Sequence, residues 1–76
     1  THYAIVNLGA IDARFEAGAE VTPETLADAG LVRGTKLPVK VLADGGLSKG
    51  LTIRAHKFSG NASAAIEAAG GTAETL

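Results

Sequence analysis

No cysteine occurs in the 76 residues, and nothing else about the chain limits its choice of fold so sharply. A chain this short buries only about 60% of the surface its unfolded form exposes, and small scaffolds usually offset the deficit with disulfides, a metal or a partner. Without cysteine there is no disulfide, no Cys-based zinc site and no thiol chemistry. A hydrophobic core has to suffice, and it is thin: hydrophobic residues make up 46% of the chain, but 15 of them are Ala, and only Tyr3, Phe15 and Phe58 are aromatic. The length suits one small domain over residues 1–76 and excludes two independently folding ones. No apolar run approaches the ~20 residues that a membrane-spanning helix needs. The expectation is a soluble, cytosolic domain and, since the sequence lacks Met and opens on Thr1, a piece of something longer.

The placing of the larger apolar residues predicts a mixed α/β fold. Residues 3–8, with Tyr3, Ile5 and Val6, read as a buried strand ended by Gly9. Ile11 and Phe15 stand four apart with Asp12 early in the turn and Gly18 beyond, the spacing of a helix of one or two turns. Thr22 is placed to cap a second helix, with Pro23 at its first position, Glu24 complementing its dipole, Leu26 and Ala29 on one face and Gly30 as its stop. Leu37, Val39, Val41 and Ala43 share one parity, and Leu51, Ile53 and Ala55 another, which makes two strands. Between them Gly45, Gly46 and Gly50 loosen the loop at 44–50, so the two strands are expected to form a central antiparallel hairpin. Ser59 then caps a third helix striped by Ala62, Ala65, Ile66 and Ala69 and stopped by Gly70 and Gly71, and residues 72–76 read as a short last strand.

A faint internal echo runs through these segments. Leu26-Ala27-Asp28-Ala29-Gly30 and Ile66-Glu67-Ala68-Ala69-Gly70 share an aliphatic residue, two variable positions, Ala and Gly, and Phe15-Glu16-Ala17-Gly18 is a shortened relative. Strand-plus-helix units of this kind cannot bury an apolar face alone, so they are expected to stack into a small repetitive α/β domain. Gly30 and Gly70 are expected at positive φ, where a β-branched residue is strained.

Charge is segregated along the chain. Residues 1–30 set Arg14 against Asp12, Glu16, Glu20, Glu24 and Asp28, a net −4. Residues 31–61 set Arg33, Lys36, Lys40, Lys49, Arg54 and Lys57 against Asp44 alone, a net +5, and Glu67 and Glu74 follow. A basic block of this kind suits a polyanion, although the same cations can simply solvate a hairpin and pair with the acidic segment.

No constellation for catalysis emerges. The glycine loop has the residue types of a phosphate loop in the wrong order, since Lys49 precedes Gly50 and a strand follows instead of a helix. His2 and His56 have no ligand partner four residues away, which argues against a metal site. Ser48 and Ser59 lack the Gly-x-Ser-x-Gly elbow of a nucleophile, and Ser59 is better placed as a cap. No enzyme and no cofactor are expected. What remains is the outward side of the central strands: with Leu51, Ile53 and Ala55 inward, Thr52, Arg54 and His56 point out, as do Lys36 and Lys40 opposite Leu37, Val39 and Val41. Adding Arg33, Lys49 and Lys57 gives one basic flank able to neutralise several phosphates. Tyr3, Phe15 and Phe58 read as core residues rather than stacking platforms, so RNA shape and backbone are expected to be recognised rather than base sequence.

The stretch Lys40-Val41-Leu42-Ala43-Asp44-Gly45-Gly46-Leu47, followed by Leu51-Thr52-Ile53, Phe58-Ser59, Ala62, Ile66 and Gly70, resembles the signature of the bacterial large-subunit ribosomal protein family numbered fifteen. Phe15-Glu16-Ala17-Gly18 and Thr22-Pro23-Glu24-Thr25-Leu26 look like the same family, so the likeness covers nearly the whole chain. It implies a C-terminal α/β domain of repeated strand-strand-helix turns. It implies a structural, rRNA-binding constituent of the large ribosomal subunit, in the cytoplasm, with rRNA and neighbouring large-subunit ribosomal proteins as partners. Family members also carry a basic, glycine-rich N-terminal extension ahead of this domain. Of the basic residues only Lys40 lies within the signature; Arg33, Lys36, Lys49, Arg54, His56 and Lys57 rest on charge and alternation. The acidic residues Asp12, Glu16, Glu20, Glu24 and Asp28 are expected to face away from RNA. The alternative reading is a free-standing protein-interaction module whose basic hairpin meets an acidic partner.

Overall fold

The alternation at 39–42 and 52–55 does generate strands, but they are not partners. In a computed structural model that describes residues 2–76, β3 (Val39–Leu42) lies between β1 (Ala4–Asn7) and β5 (Lys57–Phe58), with every pairing parallel. Likewise β4 (Thr52–Ala55) lies between β2 (Glu20–Val21) and β6 (Thr72–Thr75), again parallel. The expected antiparallel hairpin is therefore replaced by two three-stranded parallel sheets, ordered β1-β3-β5 and β2-β4-β6. The physical reason is the connection between β3 and β4. The backbone N–H of Gly9 donates to the Asp44 carbonyl at 2.8 Å, and Lys49 Nζ donates to the carbonyls of Asp12 and Phe15 at 2.9 and 3.1 Å. Those are groups that the two ends of helix α1 (Leu8–Arg14) leave without intrahelical partners. The glycine loop thus straddles a helix and carries the chain across to the other sheet.

The helices follow their local signals more closely. Thr22 accepts from the Thr25 N–H at 3.2 Å and Thr25 Oγ1 accepts from the Thr22 N–H at 2.8 Å, so α2 (Pro23–Asp28) opens on a reciprocal cap with Pro23 at its start. Ser59 accepts from Ala62 N–H at 3.1 Å at the head of α3 (Gly60–Ala68). The sequence echo is an identical way of stopping: Leu31 N–H donates to Leu26 C=O and Gly71 N–H to Ile66 C=O, both at 2.9 Å, while Gly30 and Gly70 sit at φ 77° and 84°. Both are Schellman ends, which close a helix with a six-to-one bond around a left-handed residue. The start of α1 departs from expectation. Leu8 is a fully buried helical residue rather than the end of the strand, and Gly9 lies inside the helix.

The chain winds as a coil of three turns, β1 to β2, β3 to β4 and β5 to β6, crossing between sheets through α1, the loop at 43–51 and α3. It returns through α2 and then through His56 alone. Inward rows from both sheets meet in one core, with Val6, Val21, Val39, Val41, Ile53 and Ala55 joined by Leu8, Ile11, Leu51, Ala62 and Ile66 from the crossings and Leu26 from the return through α2. Repeated α/β turns are therefore the architecture, as expected. No turn could bury its apolar side without the next.

Candidate nucleic-acid interface

Cross-strand register decides which cations meet. In the first sheet Ile5 pairs with Lys40 and Lys40 with Lys57, so these three side chains form one row on the outward face. The next row, Val6, Val41 and Phe58, faces the core. Two ammonium groups on directly opposed positions repel unless an anion lies over them, as like charges across a strand pair are unfavourable. Lys40 Nζ also lies 6.0 Å from the centre of the Tyr3 ring, at the outer reach of a cation–π contact. Tyr3 thereby belongs to this outer face, whereas the sequence placed it in the core.

Arg54 is brought elsewhere. It projects from the outward face of the second sheet, between Glu20 of β2 and Glu74 of β6, at 3.3 and 2.8 Å. Those two carboxylates raise its already high pKa, the Glu74 hydrogen bond contributing most. The inward rows of the two sheets share one core, so their outward faces look in different directions and Arg54 cannot join Lys40 and Lys57. The single basic flank expected from alternation is thus divided, because β3 and β4 belong to separate sheets.

Two further candidates have structural partners. Lys49 closes the C-terminal end of α1, as described above. His56, at the one-residue corner between β4 and β5, accepts from the Val39 N–H through its ring Nδ1 at 2.9 Å while its backbone N–H donates to the Val39 carbonyl at 3.0 Å. It therefore completes the hydrogen bonding at the start of β3.

Arg33 and Lys36 are exposed on the segment between α2 and β3. They line, with Ala4, Gly34, Thr35 and Leu37, an open cleft of about 520 Å³. A smaller hollow of about 250 Å³ shares Ala4, Arg33 and Leu37 with it and reaches Ile5, the residue that shares a row with Lys40 and Lys57. Four of the seven basic positions, Arg33, Lys36, Lys40 and Lys57, thus lie on or beside the first sheet.

Two members of the acidic segment have partners within the fold. Glu20 is held by Arg54, whereas the Asp12 carboxylate accepts from Ser48 N–H at 2.9 Å and from Ser48 Oγ at 2.8 and 3.0 Å. These bonds, the backbone one foremost, together with the Lys49 charge, hold the Asp12 pKa below the ordinary carboxylate value. The adjacent Ser48 and Lys49 beside the glycines were the available signal for this clasp. Their partner lies 36 positions away, out of reach of any local pattern.

Among the described residues no group of three or more His, Cys, Asp or Glu is placed to hold a metal ion, and no helix is long and apolar enough to cross a membrane. Compared with known proteins, residues 5–74 match the family model described as ribosomal proteins 50S-L15, 50S-L18e and 60S-L27A.

Proposed function

The chain belongs to the family of ribosomal proteins 50S-L15, 50S-L18e and 60S-L27A, structural constituents of the large ribosomal subunit, and from that membership we propose that it docks on folded large-subunit rRNA through the outward face of its first sheet. The observation that carries this reading is the Lys40–Lys57 register, which sets two lysines on directly opposed positions of neighbouring strands, neither of them in an ion pair among the described residues. Arg33 and Lys36 extend the same surface beyond β1. The contact neutralises phosphates and follows RNA shape, with counterion release as its main driving force. Residues 1–76 act as one domain, comparable to the C-terminal globular domain of family members, whose role is to hold RNA in place in the cytoplasmic ribosome rather than to catalyse a reaction. Arg54, Lys49 and His56 keep the fold in shape and are removed from the contact set.

A salt titration against a structured large-subunit rRNA fragment tests this. Lys40→Glu and Lys57→Glu are each expected to weaken binding about tenfold or more and to lower the slope of log affinity against log salt by about 1. Arg54→Gln, the control on the other sheet, is expected to leave affinity within about twofold. Equal losses at all three positions, or none, would refute the assignment to the first sheet. A preference for an acidic protein over excess RNA would favour the protein-interaction alternative.

A further inference from the structure

The cleft beside β1 is more apolar than phosphate contacts require. Ile5 and Leu37 are 49% and 47% exposed, two of the three large hydrophobic side chains left this open among the described residues; both line the smaller hollow, and Leu37 lines the larger one as well. Arg33 and Lys36 line the larger hollow with no ion pair among the described residues. The larger hollow falls within the roughly 300–1,000 Å³ of sites that take small organic ligands. A lining that joins exposed apolar side chains to unpaired cations complements a group that is flat and apolar on its faces and anionic at its edges. A nucleotide turned out of an RNA helix has that form, because its base offers two π faces and its flanking phosphates carry the charge.

Resting on the RNA reading above, we propose that the two joined hollows receive one extruded nucleobase of rRNA, packed against their shared Leu37 with Ile5 beside it in the smaller hollow, and with its flanking phosphates on Arg33 and Lys36. The Ile5–Lys40–Lys57 row then continues from the cleft onto the neighbouring backbone, so one surface binds both a bulge and the helix next to it. Among the cleft residues Thr35 alone offers a neutral hydrogen-bonding side chain, so the site selects an unstacked base without choosing strongly among bases. A bulged position serves best, since a base already outside the stack costs least to extrude.

The test uses the full chain and three forms of one short RNA duplex: fully paired, with a single-adenosine bulge, and with an abasic residue at that bulge. Fluorescence anisotropy is expected to show the adenosine bulge bound about tenfold more tightly than the other two, the effect of one base–side-chain contact. The double variant Ile5→Thr/Leu37→Ala, which changes no charge and touches only half-exposed positions, is expected to lose that preference while keeping the melting temperature and the affinity for the paired duplex. Lys40→Glu/Lys57→Glu should weaken all three complexes alike. Equal affinity of the unaltered chain for the three RNAs would overturn the base-binding cleft and leave phosphate docking standing. Failure of all three to bind at low salt would overturn both. Retention of the preference in the double variant would place the base elsewhere, and tighter cleft-dependent binding of an extended Glu-Leu-Glu-Leu-Glu peptide would make this a protein groove.

Discussion

His56 shows how a residue's surroundings override its type. By alternation it points outward, and it does, yet its ring nitrogen serves the Val39 amide instead of a phosphate. His56→Ala is expected to cost about 1–2 kcal/mol, because Val39 N–H loses its acceptor, while His56→Asn, whose Oδ1 can take the place of Nδ1, recovers most of it. Urea melts of the two variants compare them directly, and equal losses would mean that the bond contributes nothing. Residue by residue, alternation was a sound guide to inward and outward: Val39, Val41, Leu51, Ile53 and Ala55 are all buried. It failed at Leu37, which precedes the strand, and it could not tell that Arg54 would meet Glu20 and Glu74. Those partners arrive on strands 34 and 20 positions away in sequence.

At the level of elements, the loop over α1 is the least legible part and the most informative. Asp12 has its pKa lowered by the Ser48 bonds, so its contribution to stability is complete above the ordinary carboxylate value and disappears as pH falls through the lower value of the folded state. In an NMR acid titration the Ser48 amide should shift as Asp12 protonates, before global unfolding, and Asp12→Asn should abolish that step; an unchanged titration in the variant would assign it to another group. The helix stops were readable, since Gly30 and Gly70 both took the left-handed conformation that their position after a helix suggested. Gly71 carried a constraint that no local pattern reveals. A Cβ there would meet the backbone N and O of Leu51, which no rotamer can relieve. Gly70→Ala is therefore expected to cost about 1–2 kcal/mol through its backbone conformation, and Gly71→Ala clearly more. Thermal denaturation ranks them, and the reverse order would refute the close packing of β6 against β4. The two-residue strands Glu20–Val21 and Lys57–Phe58 went unread because they are too short to show any alternation.

For the whole molecule, the repeat in the sequence foretold stacked turns, but adjacency along the chain suggested the wrong pairing. Neighbouring apolar segments looked like a hairpin, whereas the parallel coil pairs each segment with one a full turn away. The middle turn should then be the most protected. Amides of β3 and β4, central in their sheets, are expected to exchange slowest with deuterium and those of β6 faster, and uniform protection would contradict a turn-by-turn build. Two open sheets also present four outer strands, each a template on which another chain could add itself. Two of the four, β2 and β5, have only two residues, too few to seed a ladder, and β6 carries Glu74 held across its face by Arg54. That leaves β1, four residues long and carrying the half-exposed Ile5, as the edge on which an added strand would find the fullest template.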